Sequence, residues 1–548
     1  MRGDLDLAKA DQQHPTDAAT RQSLFTDKST WRVARAERFG LVVDAADYFR
    51  VLRKIFLGAR QQLMLIGWDF DFELEMLPGE SDEDGNAPDG YPNQLGAFVE
   101  AVVERTPELH VYLLKWNGAV LAAPGRLVPS LALSLFGGDR IHFALDGHHP
   151  FGACHHQKIV VADDALAFCG GIDATEDRWD TPDHLPHDPR RVRKDGSPSD
   201  PWHDATSAMS GPAAAALGEL SRRRWLRATG DEIAKPNGAP MFEWPKDLPV
   251  DAEDIDVGIA RTEPPFDEEP LINEIEQLYL AGIKSARDYI YFESQYLAAD
   301  SVCDALKARL AEEDGPEIVI INPRDAESQL EDDAMHVLRE RLVEDLKGAD
   351  HQNRFRIYFP VTDEGEPIYV HAKIMIIDDH LLRLGSSNLN NRSMGFDTEC
   401  DVAIERPAQV IEGFRTRLIA EHLGLPPARV AEVMAEKGSM IGAIETLNRK
   451  KGRGLRAVFR GSETVVGGFL ANTRLLDPRY HPGEGTTTGR GIRPRHMALI
   501  AGGWALHGWH GANGAAAIPR SKVWARRQVP RNARYLAQGC ARPVPRAR

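Results

Sequence analysis

The sequence predicts an α/β protein built twice over, as two similar lobes, each a mixed β-sheet flanked by helices. Three observations carry that prediction. Short aliphatic and β-branched runs alternate with stretches of helical periodicity, the pattern of sheets covered by helices. The same order of runs recurs at an offset near 215 residues. The length of 548 residues, at 42% hydrophobic content, is ample for two cores and long for one.

Residues 1–30 are polar and read as a loose leader. The first lobe, 31–230, opens with a helical stripe of Tyr48, Leu52, Ile55, Phe56 and Ala59. A buried-strand run follows at Leu63–Ile66 and ends at Gly67-Trp68-Asp69. Further strands are expected at Leu109–Leu114, Ile141–Leu145, Ile159–Val161 and Leu166–Cys169. Residues 231–270, rich in proline, glycine and acids, read as a linker. The second lobe, 271–450, repeats the order. A stripe of Ile272, Ile275, Leu278 and Tyr279 precedes strands at Tyr289–Phe292, Ile318–Ile321, Arg354–Phe359, Ile374–Ile377 and Leu381–Leu384. Residues 451–548 read as a poorly ordered extension, basic from about 476.

Two loops interrupt the first lobe. Pro78–Asn93 carries Asp82, Asp84 and Asn86, but the sixth and twelfth positions of a calcium loop are Ala87 and Asn93 rather than Gly and Glu, so it reads as solvated loop. Pro182–Pro201 is long enough to shape a site entrance.

The formal charge of −16 is unevenly spread. Residues 476–548 hold 13 Arg and Lys against Asp477 and Glu484, a net of +11, which leaves −27 for residues 1–475. An acidic body argues against a nucleic-acid binder. The five cysteines show no C-x-x-C spacing, so neither a disulfide framework nor a zinc cluster of cysteines is expected. The N-terminal residues lack an apolar run of signal-peptide type, and a cytoplasmic setting is the expectation. Met497–Ile518 lacks charged residues but holds five glycines and two histidines, too weakly apolar for a confident span.

Each lobe closes on the same short motif. In the first it is His156-Gln157-Lys158, then Asp163, then Gly170-Gly171-Ile172-Asp173; in the second, His371-Ala372-Lys373, then Asp378, then Gly385-Ser386-Ser387-Asn388. The residues after each histidine read as a strand, so side chains two apart share a face, and His and Lys project together. Asp163-Asp164 and Asp378-Asp379 are turn residues that reverse the chain. The small residues after the returning strands are expected to let a ligand approach the backbone, with Asn388 or Asp173 reaching over the same face. This set suits phosphoryl transfer. Lysine and an asparagine amide bind phosphate oxygens, one neutral imidazole attacks phosphorus, and a second moves the proton. Two half-sites brought together leave no task for a metal.

These blocks resemble the HKD motifs of the phospholipase D superfamily. Gly67-Trp68-Asp69, Arg178-Trp179-Asp180, Pro201-Trp202-His203-Asp204, Glu293-Ser294-Gln295-Tyr296 and Asn391-Arg392-Ser393 also fit its two-motif members, across most of 32–425. The resemblance implies a duplicated bilobed monomer with its active site at the lobe interface, and a phosphohistidine mechanism without metal or cofactor. It assigns His156 as nucleophile and His371 as general acid and base, an order that the sequence by itself leaves open. Lys158, Lys373, Asn388 and Ser386 would bind phosphate. Asp163 and Asp378, the last members of the two motifs, would fix the hairpins, and Asp180 and Glu399 would orient the catalytic histidines. The first block departs from the family's usual G-S-x-N in ending on Asp173.

The implied reaction is hydrolysis of a phospholipid to phosphatidic acid and head group, or transfer of the phosphatidyl group to an alcohol. A cardiolipin synthase-like transfer is the neighbouring alternative, a superfamily nuclease a weaker one, disfavoured by the −27 of the body. The intact His, Lys and Asp of both blocks argue against a non-catalytic lipid-binding protein. Phospholipid is the expected partner, and the basic extension could touch an anionic membrane surface.

Overall fold

The computed structural model describes residues 21–119, 138–238, 242–325, 329–458 and 477–478. The strands of the first half are β1 (Arg32–Val43), β2 (Gln62–Gly67), β3 (His110–Trp116), β4 (Ile141–Asp146), β5 (Ile159–Ala162), β6 (Leu166–Gly170), β7 (Trp202–His203) and β8 (Ala205–Ser210). Those of the second are β9 (Ala252–Glu263), β10 (Ile272–Asn273), β11 (Tyr289–Glu293), β12 (Glu317–Ile321), β13 (Phe355–Val361), β14 (Tyr369–Val370), β15 (Ile374–Ile377), β16 (Leu381–Gly385), β17 (Glu399–Ile404) and β18 (Gly454–Ala457).

One continuous sheet joins both halves in the order β18-β13-β12-β11-β15-β16-β17-β9-β1-β8-β6-β5-β2-β3-β4, with β10 beside β9. The order is nearly mirrored about the β9–β1 seam, as a duplication requires. In each half three strands run parallel (β2, β3, β4 and β11, β12, β13) and the HxK strand joins them antiparallel. The sheet is therefore mixed. Its strands are continuous apolar runs because both faces are covered: every residue of Ile374–Ile377 and Leu63–Ile66 is buried.

Helices Pro212–Thr229 and Ala408–Leu423 pack into a core shared by the two halves. Helices Ala45–Gly58 and Leu95–Arg105 close the opposite face of the first half. Glu274–Ser285 and Asp300–Leu310 do the same for the second.

The segment 231–270, expected as a linker, holds the twelve-residue β9, which pairs with β1 on one side and β17 on the other. Its acids lie on exposed positions of that strand (Glu253, Asp254, Asp256), which disguises it as a polar connector. The second lobe also runs past 450, since β18 pairs with β13. Ile272 lies in β10, and the helix starts two residues later at Glu274. No helix among the described residues is long and apolar enough to cross a membrane; Met497–Ile518 and nearly all of the basic extension lie outside them.

Candidate active site

The two HxK motifs meet where the halves face each other. β5 begins just after Lys158 and β15 just after Lys373, and two short parallel pairings cross between the halves. β14, which leads into His371, pairs with β7, and His155 bridges to Thr398. Each motif histidine is thus delivered beside the segment that precedes a strand of the other half.

The consequence is an exchange of carboxylates. His156 Nδ1 lies 3.2 and 3.1 Å from the Glu399 carboxylate oxygens. His371 Nδ1 lies 2.6 Å from Asp204 Oδ2. Both acids are buried and each sits at the start of its strand, Glu399 in β17 and Asp204 before β8. An Nδ1–H held by a carboxylate sets the tautomer and leaves Nε2 for chemistry. Burial and the nearby Lys158 and Lys373 hold the His156 imidazole well below its ordinary range. Burial, Lys373, Arg178 and Lys158 do the same to His371. Burial pushes Glu399 up to about 7 and Asp204 up to about 6.

The lysines line the same space. Lys158 Nζ is 3.0 Å from the His156 carbonyl and 3.1 Å from Asp173 Oδ2. Lys373 donates to the His371 carbonyl and lies 3.4 Å from Gln295 Oε1. Burial drives the Lys373 ammonium down to about 7. The Asn388 amide oxygen is buried without a hydrogen-bond partner. Asp173, the departure in the first block, is turned onto Lys158, which offsets its charge.

Several expected roles change. Asp180 does not orient a catalytic histidine: it is bonded to His184 Nδ1 (2.9 Å), to Arg191 (3.0 Å) and to the Trp202 amide (2.9 Å). The acid on His371 is Asp204. Ser386, expected on phosphate, donates its hydroxyl to Glu399 at 2.5 Å, and Ser393 donates to the same carboxylate at 2.6 Å. Asp163 and Asp378 bond to backbone amides and not to the histidines. Asp163 accepts the amides of Arg60, Gln61 and Gln62, and Asp378 those of Arg287, Asp288 and Tyr289. Each pins the chain entering the neighbouring strand, from a left-handed backbone (φ 52° and 48°).

The small residues also serve the protein rather than a ligand. A Cβ on Gly171 would stand 2.2 Å from Asp204 Oδ1, and one on Gly385 2.1 Å from Asp401 Oδ1. Glycine at 171 makes room for the acid that holds His371.

Sequence reasoning missed Asp204, Arg178 and Gln295 as site residues, although all three lie in stretches that carry the resemblance. The signal for Asp204 was the repeat itself, since it precedes β8 as Glu399 opens β17. The fixed offset hides it. The loop Pro182–Pro201 lengthens the first half, so a step of 215 back from Glu399 lands on His184. Arg178 stacks 4.1 Å over the Trp202 ring, which in turn stacks on Tyr369 at 4.5 Å.

A family profile described as "Cardiolipin synthase, PLD-like domain" matches residues 279–418. Phospholipase D alpha 1 of Carica papaya is 25% identical over 398 residues, covering 50% of this chain and 49% of that one. Phospholipase D alpha 1 of Arabidopsis thaliana is 26% identical over 424 residues, covering 54% and 51%. The chain spans about half the length of these curated relatives. Among solved structures, the phosphatidylserine synthase of Haemophilus influenzae Rd KW20 aligns with a TM-score of 0.49 at 12% identity, over 75% of this chain and 97% of that one.

Proposed function

This chain belongs to the phospholipase D superfamily, and from that premise we propose that it cleaves the head-group phosphodiester of phospholipids through a covalent phosphohistidine. One observation carries the reading: two imidazoles, His371 buried and His156 partly so, each with Nδ1 on a carboxylate of the opposite half, lie among the charges of two lysines.

In this reading the phosphodiester oxygens lie on Lys158, Lys373 and the Asn388 amide, which stabilise the charge that builds as phosphorus becomes five-coordinate. His156 is neutral and attacks phosphorus through Nε2. The bond to the head-group oxygen breaks, and His371 Nε2–H protonates that oxygen. His371 must carry a proton at this moment. The bound phosphate anion offsets the lysine charges that otherwise depress it, so substrate binding favours the protonated form. Water then loses a proton to His371 and attacks phosphorus. The P–N bond breaks, releasing phosphatidic acid and restoring His156. Glu399 and Asp204 orient the rings and stabilise each imidazolium as it forms.

The second reading is phosphatidyl transfer to an alcohol acceptor, including a cardiolipin synthase-like transfer, and the profile matching 279–418 favours it. Both readings share the first half-reaction and differ in the acceptor. Incubating the protein with phosphatidylcholine, with and without a primary alcohol, tests them. Phosphatidic acid and free choline support hydrolysis, and a phosphatidyl alcohol supports transfer. Absence of all three products, with phosphatidylglycerol also unreactive, would overturn both.

A further inference from the structure

Linked to His371 through the backbone of His203 and Asp204 lies a second cluster of titratable groups that the proposed chemistry does not use. Asp44, His184, His203 and Glu421 come from four separate parts of the chain. The first three are wholly buried, and the Glu421 side chain is 10% exposed. One donor atom from each lies within 4.8 Å of all the others.

The spacing is that of a coordination shell. His184 Nε2 is 3.5 Å from Asp44 Oδ2 and 3.2 Å from Glu421 Oε1. His203 Nδ1 is 2.8 Å from Glu421 Oε1 and 3.4 Å from Asp44 Oδ1. Ligand atoms at the corners of a tetrahedral zinc site stand about 3.3 Å apart. The other nitrogen of each ring is already engaged by a carboxylate. His184 Nδ1 meets Asp180 Oδ2 at 2.9 Å, and His203 Nε2 meets Glu293 Oε2 at 2.8 Å. These outer acids are themselves anchored: Asp180 by Arg191, and Glu293 by the Tyr291 hydroxyl and by His422 at 2.9 Å. A ligating imidazole is ordinarily held in this way, its second N–H given to an acid behind it.

When each ring proton is directed outward, to Asp180 and Glu293, the lone pairs of His184 Nε2 and His203 Nδ1 face the Asp44 and Glu421 carboxylates. Asp44 Oδ2 makes no hydrogen bond there, and His203 Nδ1 makes none of good geometry to the Glu421 oxygen 2.8 Å away. A cation supplies what the four donors lack. We propose that Asp44, His184, His203 and Glu421 hold one divalent transition-metal ion of the zinc class. Two imidazole nitrogens and two carboxylate oxygens are a zinc-type donor set, and calcium or magnesium would call for an all-oxygen shell.

The site is structural and lies outside the reaction. The Asp204 amide donates to Asp44 Oδ1 at 3.1 Å, and the Asp44 amide to the Asp204 carbonyl at 2.8 Å. The His203 carbonyl accepts the His371 amide at 2.8 Å. The ion would therefore tie down the two residues that carry the acid and backbone support of His371. It positions these groups and touches no reacting atom.

The test is elemental analysis of the full chain, expressed without a polyhistidine tag in zinc-supplemented medium and dialysed exhaustively. About one zinc per chain is expected in the wild type and in His156→Ala, and a small fraction of that in Asp44→Asn combined with His184→Ala. Because the double variant could fail to fold, the wild type is also stripped with dipicolinate and given Zn2+ alone. The thermal midpoint should rise by several degrees, with no rise on Ca2+, and Co2+ should give the visible absorption of a four-coordinate tetrahedral site. A wild type that carries no metal and shows no midpoint shift on Zn2+ would overturn the proposal. So would zinc retained by the double variant and lost from His156→Ala.

Discussion

At the scale of single residues, the exchanged acids separate roles that sequence reasoning merged. Asp204→Asn keeps the shape but removes the negative charge on His371, so kcat should fall by roughly 10²–10⁴ with KM little changed. Asp180→Asn leaves Arg191 and His184 facing a neutral amide, and its expected signature is a lower thermal midpoint. Steady-state kinetics and thermal unfolding of the two variants distinguish them. The pH dependence has a definite sign. In the proposed mechanism Lys373, held down to about 7 by burial, binds the phosphate as an ammonium, so kcat/KM should fall as pH rises through that value. Lys373→Arg keeps its charge at all accessible pH, so the alkaline limb should vanish from its profile even though its absolute rate is lower. A limb that stays in place in Lys373→Arg would assign it to another group.

At the scale of elements, the hairpins after each motif hold the sheet rather than the substrate. Asp163→Ala strips the partner from three backbone amides, so a loss of about 2–4 kcal/mol is expected in urea unfolding, while kcat per folded molecule changes little. Gly171→Ala should behave oppositely, costing activity through displacement of Asp204. Much of this level was legible in the sequence. The strand runs and both HxK faces appear where apolar alternation and β-branching put them, because strands covered on both sides must be apolar throughout. β9 was not legible, because its exposed half is acidic and its ends are rich in turn formers. Nor was the partner of His371. Glu399 and Asp204 come to their histidines through pairing between halves, and a long loop breaks the register that would have linked them.

At the scale of the whole molecule, the two halves share one sheet across β1 and β9 and one core beneath the helices Pro212–Thr229 and Ala408–Leu423. A seam of this kind couples their stability. The described region should unfold in a single transition, and a break in the β1–β9 pairing, as by Val257→Pro in the buried centre of β9, should abolish folding of both halves rather than one. Circular dichroism and limited proteolysis report the outcome. Charge also belongs to this scale. The −27 of residues 1–475 is an average over the body, and Lys158, Lys373 and Arg178 still gather around the two histidines, so net charge does not forecast the anion site. Deletion of 479–548, which keeps the buried Asp477 and its bonds to Asn391 and Arg392, should weaken binding to anionic vesicles and leave hydrolysis of a short-chain soluble substrate unchanged.

The central claim is a covalent phosphohistidine at His156, and it can be trapped. The protein is mixed with phosphatidylcholine labelled at phosphorus, quenched in alkali during turnover, digested, and the label mapped. The account predicts acid-labile phosphate on the peptide that contains His156, increased in His371→Ala if a good leaving group lets the first step proceed. Label on the His371 peptide, or turnover with no labelled histidine at all, would contradict it.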